Sequence, residues 1–166
     1  MINRHLKKYL LYFFILSIIF FLDRISKIYI LQIAEQTGKV DIYFNSFVNF
    51  ILVWNRGIGF GLFSLEEATL YNFITLIIIL INIFIAYLVF VSKGLKAYFL
   101  LIILGGSLGN LFDRIHYSAV PDFIDVNYNG FHWFVFNIAD IFITTGLICL
   151  IIAEFILNKK KGNEKK

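Results

Sequence analysis

Cysteine, proline and histidine are scarce in this chain of 166 residues. The one cysteine, Cys149, excludes an internal disulfide framework, and because it stands in an apolar run we interpret it as a packing residue. The one proline and the lack of a serine- or glutamine-rich tract argue against a disordered linker. The three histidines lack the spacing of metal ligands, so the sequence predicts no metal site.

Charge is also scarce, at 16% of residues, whereas hydrophobic residues make up 60% and the mean hydropathy is +0.81. These values lie far outside the range of soluble domains of this length, so we expect a single integral membrane domain over residues 1–166. Spanning a bilayer takes about 20 mostly apolar residues. Four segments are long enough, at about residues 9–30, 69–91, 95–112 and 134–157.

The basic residues indicate how these spans are oriented. Ten of the 15 Lys and Arg residues cluster beside apolar segments, at the amino end, in the loop 92–96 and in the carboxy-terminal tail. By the positive-inside rule these clusters lie in the cytoplasm, so both termini are predicted to be cytoplasmic. The net charge of +4 then reflects topology, and no nucleic acid partner is expected. No small-residue cleavage site follows the first segment, which we therefore interpret as a retained span.

Two outer regions, residues 32–68 and 114–133, connect the spans on the opposite side. Alternating apolar residues in the first of them, from Val40 to Trp54, predict short strands. Trp54 and Trp133 suit the interfacial level of a bilayer. The predicted fold class is therefore an all-α membrane protein with four transmembrane helices and a small β-containing outer region between the first and second spans.

Acidic residues from three spans are predicted to reach one depth. Lys8 is 15 residues from Asp23, Lys96 is 17 from Asp113, and Asp140 is 19 from Lys159. At about 1.5 Å per helical residue these separations are roughly 22 to 29 Å, close to the thickness of the hydrocarbon layer. The three acids should therefore converge near the outer face. Carboxylates are costly at such a depth and persist there mainly when they are functional.

Paired aspartates that share one proton could activate water and protonate a leaving amine, which is the chemistry of aspartic peptidases. Asp122 and Asp140 are the better candidates because neither has an adjacent basic residue and both adjoin apolar residues. A turn residue after the proline is an equal reading for Asp122, and a helix N-cap is the alternative for Asp140. Asp113, beside Arg114, suits a structural ion pair or cap, and Asp125 an exposed loop acid.

Other polar residues suggest supporting roles. Asn110 and Asn137 each stand three residues before an aspartate, which places both side chains on one helical face. Asp23 and Lys27 are four residues apart and predict an intrahelical ion pair. The string 55–61 contains three glycines at alternate positions, which suits a turn, and it lacks the ending of a phosphate loop. Its first two residues, Asn55 and Arg56, suit contact with a peptide backbone or a lipid headgroup.

Five motifs in order resemble those of the bacterial lipoprotein signal peptidases, the signal peptidase II family. They are Asp23-x-x-x-Lys27, Asn55-x-Gly57-x-x-Phe60-Gly61, Gly109-Asn110-x-x-Asp113-Arg114, Asp122-Phe123 and Phe136-Asn137-x-Ala139-Asp140. Together they span residues 23–140. The resemblance implies an aspartic endopeptidase of the bacterial inner membrane, with its active site near the periplasmic face, that cuts prolipoproteins before a cysteine carrying diacylglycerol.

The resemblance also implies the roles of particular residues. Asp122 and Asp140 would be catalytic, and the residues that hold them or contact substrate would be Asn55, Gly57, Asn110, Asp113, Arg114 and Asn137, with Asp23 and Lys27. The implied partners are the diacylglyceryl prolipoprotein and membrane lipids, with no cofactor and a monomeric enzyme. Three departures from the common pattern are Arg24 in place of Gln, Ile58-Gly59 in place of Ala-Ala, and Pro121 in place of an aliphatic residue.

Two rival classes explain less of the pattern. A proton-coupled transporter would also use intramembrane acids, but spread over the membrane depth and accompanied by broken helices and an internal repeat. A structural assembly subunit accounts for the apolar content but not for the Asn-x-x-Asp pattern, which occurs twice.

Overall fold

The computed structural model describes residues 3–57, 68–128 and 130–163. In chain order they form α1 (Arg4–Thr37), β1 (Asp41–Asn45), β2 (Val48–Asn55), α2 (Ala68–Val91), α3 (Leu95–Tyr117), β3 (Val120–Tyr128), β4 (Phe131–Phe136) and α4 (Ile138–Asn163). The strands make one antiparallel sheet in the order β1-β2-β3-β4. Residues 58–61 of the glycine-containing string, with the Ile58-Gly59 departure, lie outside the described residues.

Long apolar helices dominate the described part of the chain. Four helical segments are long and apolar enough to cross a membrane: Arg4–Thr37, Thr69–Val91, Leu95–Tyr117 and Ile138–Ile156. Large apolar side chains such as Phe13 and Phe155 point outward from them, with more than 70% of their surface exposed. In water such surfaces would be a liability, and in a bilayer they face acyl chains. The protein is therefore a multi-pass membrane protein, and the predicted fold class is confirmed.

Helix α1 is longer than the predicted first span. It begins after Asn3, whose side chain accepts a hydrogen bond from the backbone N–H of His5, and ends where Gly38 adopts a left-handed conformation with φ of 77°. Its 34 residues extend about 51 Å, well beyond a hydrocarbon layer of about 30 Å. The outer turns pack beneath the sheet, where Ile30, Val40 and Phe123 form a buried apolar cluster. This contact fixes the sheet to the end of the helices.

Helix α3 is the central helix and packs against α1, α2 and α4. In its amino-terminal half, Leu100, Leu101 and Leu104 join Tyr12 and Val89 in a buried core. Toward the outer end the packing partner is backbone, because a Cβ on Gly106 would stand 2.5 Å from the carbonyl oxygen of Ala139. Glycine at this position therefore permits the start of α4 to approach α3 closely.

The second outer region differs from the sequence-based expectation. Strands were predicted only between the first and second spans, but β3 and β4 lie between α3 and α4 and complete the same sheet. Helix α4 accordingly begins at Ile138 rather than near residue 134, because residues 131–136 pair with β3. An apolar aromatic run such as Phe131–Phe136 suits either a strand or a helix, and only the available pairing partner decides between them.

Pro121 lies in β3 opposite Trp54 of β2. Among the described strands, pairing between β3 and β4 begins at Ile124 and Phe136, so β4 does not require the backbone N–H that Pro121 lacks. The register of β2 against β3 also shifts between Phe50 and Val53, which is the position of a bulge. A bulge changes the direction of nearby side chains, and the β3 residue that pairs with Val53 at this bulge is Asp122.

Candidate active site

A buried cluster of charges joins α1 to α3 at the outer end of the helices. Lys27 Nζ lies 2.9 Å from Asp23 Oδ2 and 2.6 Å from Asp113 Oδ2, and all three side chains are fully buried. Arg24 also pairs with both carboxylates, at 3.2 Å from Asp23 and 2.5 Å from Asp113. Two cations therefore neutralise two anions. Burial of charge is tolerable only when it is paired in this way.

Asn110 connects this cluster to Asp140. Its Oδ1 accepts a hydrogen bond from Lys27 Nζ at 2.8 Å, which uses the third proton of the ammonium group. Its Nδ2 donates to Asp140 Oδ1, also at 2.8 Å. Because Lys27 occupies the oxygen of the amide, the NH₂ group must face Asp140. The expected ion pair of Asp23 and Lys27 is therefore present. Lys27 and Asn110 connect the acids of the three spans, Asp23, Asp113 and Asp140, through direct contacts.

The start of α4 is held by reciprocal hydrogen bonds. Asn137 Oδ1 accepts from the backbone N–H of Asp140 at 3.1 Å, and Asp140 Oδ2 accepts from the backbone N–H of Asn137 at 3.2 Å. This is the geometry of a capping box, with Asn137 as the cap and Asp140 in the first turn. A carboxylate in the first helical turn is also stabilised by the helix dipole. Asp140 is thus not the N-cap, as one reading of the sequence had it.

Asp122 is buried on β3, with 2% of its surface exposed, and is not a turn residue after Pro121. Asn55 Nδ2 donates to its Oδ2 at 2.9 Å, and Asn137 Nδ2 donates to its Oδ1 at 2.6 Å. Asn137 therefore contacts both candidate catalytic acids, Asp122 through its side chain and Asp140 through both backbone and side chain. Asn137 thus connects the sheet to α4 by binding the carboxyl group of Asp122 and that of Asp140.

Two cavities meet at Asp122. One, of about 210 Å³, is lined by α2, α3 and α4 residues together with Asn55 and both candidate acids: Ile78, Ser107, Asn110, Arg114, Asp122, Asp140, Ile143 and Thr144 among others. The other, of about 350 Å³, lies on the sheet side and is lined by the end of β2, by Arg56 and Gly57, by Asp122, and by residues 132–135 of β4. Asn55 and Asp122 line both cavities. A molecule that passed from one cavity to the other would pass this carboxyl group.

The environment of Asp122 favours its protonated form. Burial, together with the nearby carboxylate of Asp140, raises the pKa of this carboxyl to about 7 despite the opposing hydrogen bonds from Asn55 and Asn137. At neutral pH a proton is therefore available on one member of the pair. Two carboxyl groups that differ in environment are the usual arrangement when one acts as acid and the other as base.

Hydrogen bonds from Arg114 and to Asn55 fix the backbone of Gly57, directly after β2. Arg114 Nη2 donates to the carbonyl oxygen of Gly57 at 2.5 Å, while the N–H of Gly57 donates to Asn55 Oδ1 at 2.8 Å. The hydroxyl of Tyr71 on α2 donates to the backbone carbonyl of Arg114 at 3.3 Å. Asn55 thus has its oxygen fixed by Gly57 and its NH₂ group directed at Asp122. The loop, α2 and α3 all contribute to the position of this one amide.

Some interpretations of the sequence were wrong in detail. Asp113 pairs with Arg24 and Lys27 rather than with its neighbour Arg114. Arg114 is instead directed at the backbone carbonyl of Gly57. Asp125 is fully buried in β3, not an exposed loop acid. The sequence also missed Arg24 as a partner of Asp113, and Tyr71, whose only signal is a polar group in the first turn of an apolar span.

The site contains no evident metal cage within the described ranges, where no three His, Cys, Asp or Glu side chains are grouped to hold an ion. Its distinctive features are the carboxyl groups of the buried Asp122 and the half-buried Asp140, and three asparagine amides directed at them. Together with the four apolar helices, these features indicate an integral membrane protein with carboxyl groups suited to acid–base chemistry.

The comparisons with known proteins agree with this class. The family model for signal peptidase (SPase) II matches residues 15–156. The lipoprotein signal peptidase of Pelagibacter ubique is 50% identical over 161 residues, covering 97% of both chains. That of Anaplasma marginale is 37% identical over 147 residues, covering 86% of this chain and 83% of the relative. The chain therefore belongs to the signal peptidase II family.

Solved structures show the same architecture. A bacterial membrane enzyme determined by the in meso method at 2.3 Å resolution has a TM-score of 0.72 and 29% identity, covering 93% of this chain and 92% of the other. A second, determined by the same method at 1.9 Å, has a TM-score of 0.67 and 30% identity, covering 86% and 90%. The protein is thus a signal peptidase of the membrane, an enzyme of the hydrolase class.

Proposed function

We propose that this enzyme removes the signal peptide from diacylglyceryl-modified prolipoproteins by cutting directly before the lipidated cysteine, with Asp122 and Asp140 as the catalytic pair. The observation that carries the proposal is the shared contact of Asn137, which donates to Asp122 at 2.6 Å and caps the helical turn that holds Asp140. Asn137 binds the carboxyl group of Asp122 through its side-chain NH₂ group and that of Asp140 through its backbone N–H, and so fixes their relative position. Such preorganisation is what acid–base catalysis on a peptide bond requires.

In the proposed reaction Asp122 is protonated and Asp140 is ionised. Asp140 takes a proton from a water molecule, whose oxygen attacks the scissile carbonyl carbon, while the proton of Asp122 stabilises the developing oxyanion. The tetrahedral intermediate collapses as the proton held by Asp140 passes to the amide nitrogen and the C–N bond breaks. The products are the carboxylate end of the signal peptide and the free amine of the cysteine. The first-turn position of Asp140 supports its ionised role, because the helix dipole favours negative charge there.

The two cavities suggest how the substrate lies. The cavity between α2, α3 and α4 opens among apolar side chains such as Ile78 and Ile143, which suits the signal peptide and the acyl chains. The cavity on the sheet lies outside the spans and suits the chain that follows the cysteine. Because Asp122 lines both cavities, the scissile bond would lie at the boundary between the membrane and water.

The remaining site residues have supporting roles in this proposal. Asn55 and Asn110 hold one oxygen of each catalytic acid, at 2.9 Å and 2.8 Å. Asp23, Lys27 and Asp113 form the buried charge cluster that orients Asn110. Arg114 binds the carbonyl oxygen of Gly57, whose N–H binds the side-chain oxygen of Asn55 at the end of β2. The enzyme is proposed to act as a monomer in the bacterial inner membrane, with cytoplasmic termini, the active site at the periplasmic face and no cofactor.

The test is cleavage of a synthetic prolipoprotein with and without diacylglycerol on its cysteine, by wild-type enzyme and by Asp140→Asn in lipid. Asp41→Asn is the matched control, since Asp41 is an exposed acid of β1 that pairs with Lys39 at the surface. We expect cleavage of the lipidated substrate only, lost in Asp140→Asn and retained in Asp41→Asn. Equal cleavage of the unlipidated peptide would contradict the substrate assignment, and full activity of Asp140→Asn would remove Asp140 from the pair.

A further inference from the structure

A second buried acid on β3 has no part in the reaction proposed above. Asp125 has no exposed surface, and its Oδ2 lies 2.8 Å from Nδ1 of His132 on β4. The amide of Asn127 reaches the same oxygen at 3.4 Å. The histidine, in contrast, has 59% of its side chain exposed. A fully buried carboxylate that holds an exposed imidazole is an orienting device rather than core packing.

His132 lines the sheet-side cavity that also contains Asp122. The cavity of about 350 Å³ is bounded by residues 132–135 of β4 on one side and by the end of β2 with Arg56 and Gly57 on the other. Strand β4 is the last in the order of the strands that the structure describes. The cavity therefore has a terminal strand of the sheet along one wall, and an extended peptide can lie beside such a strand.

The contact with Asp125 determines which nitrogen of His132 carries the proton. A carboxylate oxygen can only accept, so Nδ1 must be the donor, and in the neutral ring the lone pair is then on Nε2. The hydrogen bond that the structure gives His132 uses Nδ1. With the proton on Nδ1, Nε2 is an acceptor, and the commonest donor on a peptide is a main-chain N–H.

We propose that His132 is a substrate-binding residue that accepts a main-chain N–H from the segment following the lipidated cysteine, and that Asp125 positions it. The proposal rests on the proposed function, because it needs a peptide in the sheet-side cavity. It adds a binding contact beyond the residues that hold the catalytic acids. The bond would align the mature side of the substrate along β4 while the scissile bond lies at Asp122.

Binding is measured first in the Asp140→Asn background, where the substrate is not consumed. The probe is a fluorescent diacylglyceryl prolipoprotein peptide, titrated against Asp140→Asn with and without His132→Phe in lipid nanodiscs. Phenylalanine keeps the ring and removes both nitrogens. Loss of one hydrogen bond should raise Kd about 3- to 10-fold. In the active enzyme the same change should raise KM by a similar factor and leave kcat nearly unchanged.

Substrate peptides with one N-methylated amide identify the main-chain N–H that donates to His132. Three peptides, each with one N-methylated amide at the second, third or fourth residue after the cysteine, are compared on both backgrounds. For one of these peptides, the N-methyl group should raise Kd as much as His132→Phe does. The same N-methyl group should not raise Kd further in the His132→Phe variant, since the two changes remove the same hydrogen bond. Asp125→Ala should likewise weaken binding alone and not in combination with His132→Phe.

Phe131→Leu is the matched control, because Phe131 is exposed on the same strand but does not line the cavity. It should leave Kd and KM unchanged. Equal Kd and KM in wild type and His132→Phe would overturn the inference, as would an N-methyl effect that is fully additive with His132→Phe at every position. A wild-type enzyme that fails to cleave the lipidated peptide would instead overturn the proposed function, so the two failures are distinguishable.

Discussion

Asn137 and Asp140 exchange two hydrogen bonds across the first turn of α4, at 3.1 Å and 3.2 Å. The exchange leaves the NH₂ group of Asn137 available to Asp122 at 2.6 Å. A common helix cap thereby becomes the connection between the two carboxyl groups of the site. The local pattern Asn-x-x-Asp predicts the helix start, whereas its contact with β3 places that start beside the second acid.

Asp122→Asn should lower kcat/KM for the lipidated substrate by about 10³-fold or more, because an amide cannot donate the acid proton or share it with Asp140. The variant should still fold, since the substitution keeps the shape of the side chain and its amide oxygen can still accept one of the two hydrogen bonds from Asn55 and Asn137. Cleavage kinetics and thermal unfolding of the same preparation provide the check. A rate within tenfold of wild type would rule Asp122 out as a catalytic acid.

The pH dependence of kcat/KM should show a fall in rate as pH rises through about 7. Asp122, whose pKa is raised to about 7 by burial and by Asp140, then loses the proton that the reaction needs. Asn55→Ala removes a hydrogen bond that lowers this pKa. The alkaline limb of its profile should therefore shift to higher pH. A limb that stays in place in Asn55→Ala would argue that another group controls it.

Lys27→Met should destabilise the protein by about 3–5 kcal/mol, because it leaves two buried carboxylates with one remaining cation. The expected fall in Tm is on the order of 10 °C. Asn110 also loses the donor that fixes its amide, so activity should fall as well. Thermal unfolding in detergent measures the first effect and cleavage kinetics the second.

Arg24→Gln is the comparison for that variant. Arg24 lies over the ring of Phe112 and pairs with the same two carboxylates, but Lys27 remains in contact with both of them after the change. The loss of stability should therefore be smaller than in Lys27→Met, and the rate should be less affected because Asn110 keeps its donor. A larger loss in Arg24→Gln would show that Arg24, not Lys27, is the principal counter-charge.

Gly106→Ala should reduce both stability and kcat. The added Cβ would stand 2.5 Å from the backbone carbonyl of Ala139, so the start of α4 must move, and Asp140 with it. Overpacking of this kind costs about 1–3 kcal/mol. Ile115→Ala, an exposed position on the same helix, is the control and should change neither quantity strongly. Wild-type kcat in Gly106→Ala would indicate that α4 tolerates the displacement.

The motif residues could be found in the sequence because their signals are local. Asn110 and Asn137 stand one helical turn from an aspartate, and Lys27 one turn from Asp23, so each predicts its own helical face. Four apolar runs with basic flanks likewise predict four helices, since backbone in a bilayer must satisfy its own hydrogen bonds. These features depend on residues within about one turn or on the composition of one segment.

Other features depended on contacts between distant segments. Asp113 and Arg114 are equivalent in sequence as charged neighbours, yet Asp113 faces α1 and Arg114 faces the loop after β2. Asp125 is buried only because β3 has a strand on each side at that position. The run Phe131–Phe136 became a strand rather than the start of a helix for the same reason.

The sequence alone therefore determined the membrane class, the number of apolar helices and the identity of the polar motif residues, because hydropathy and helical spacing act over short distances. The tertiary structure decided which acid pairs with which base and which acids share a cavity. It also placed His132 in the same cavity as Asp122. Those outcomes depend on how β2, β3 and the ends of the helices are packed together, and no pattern within a single segment encodes that arrangement.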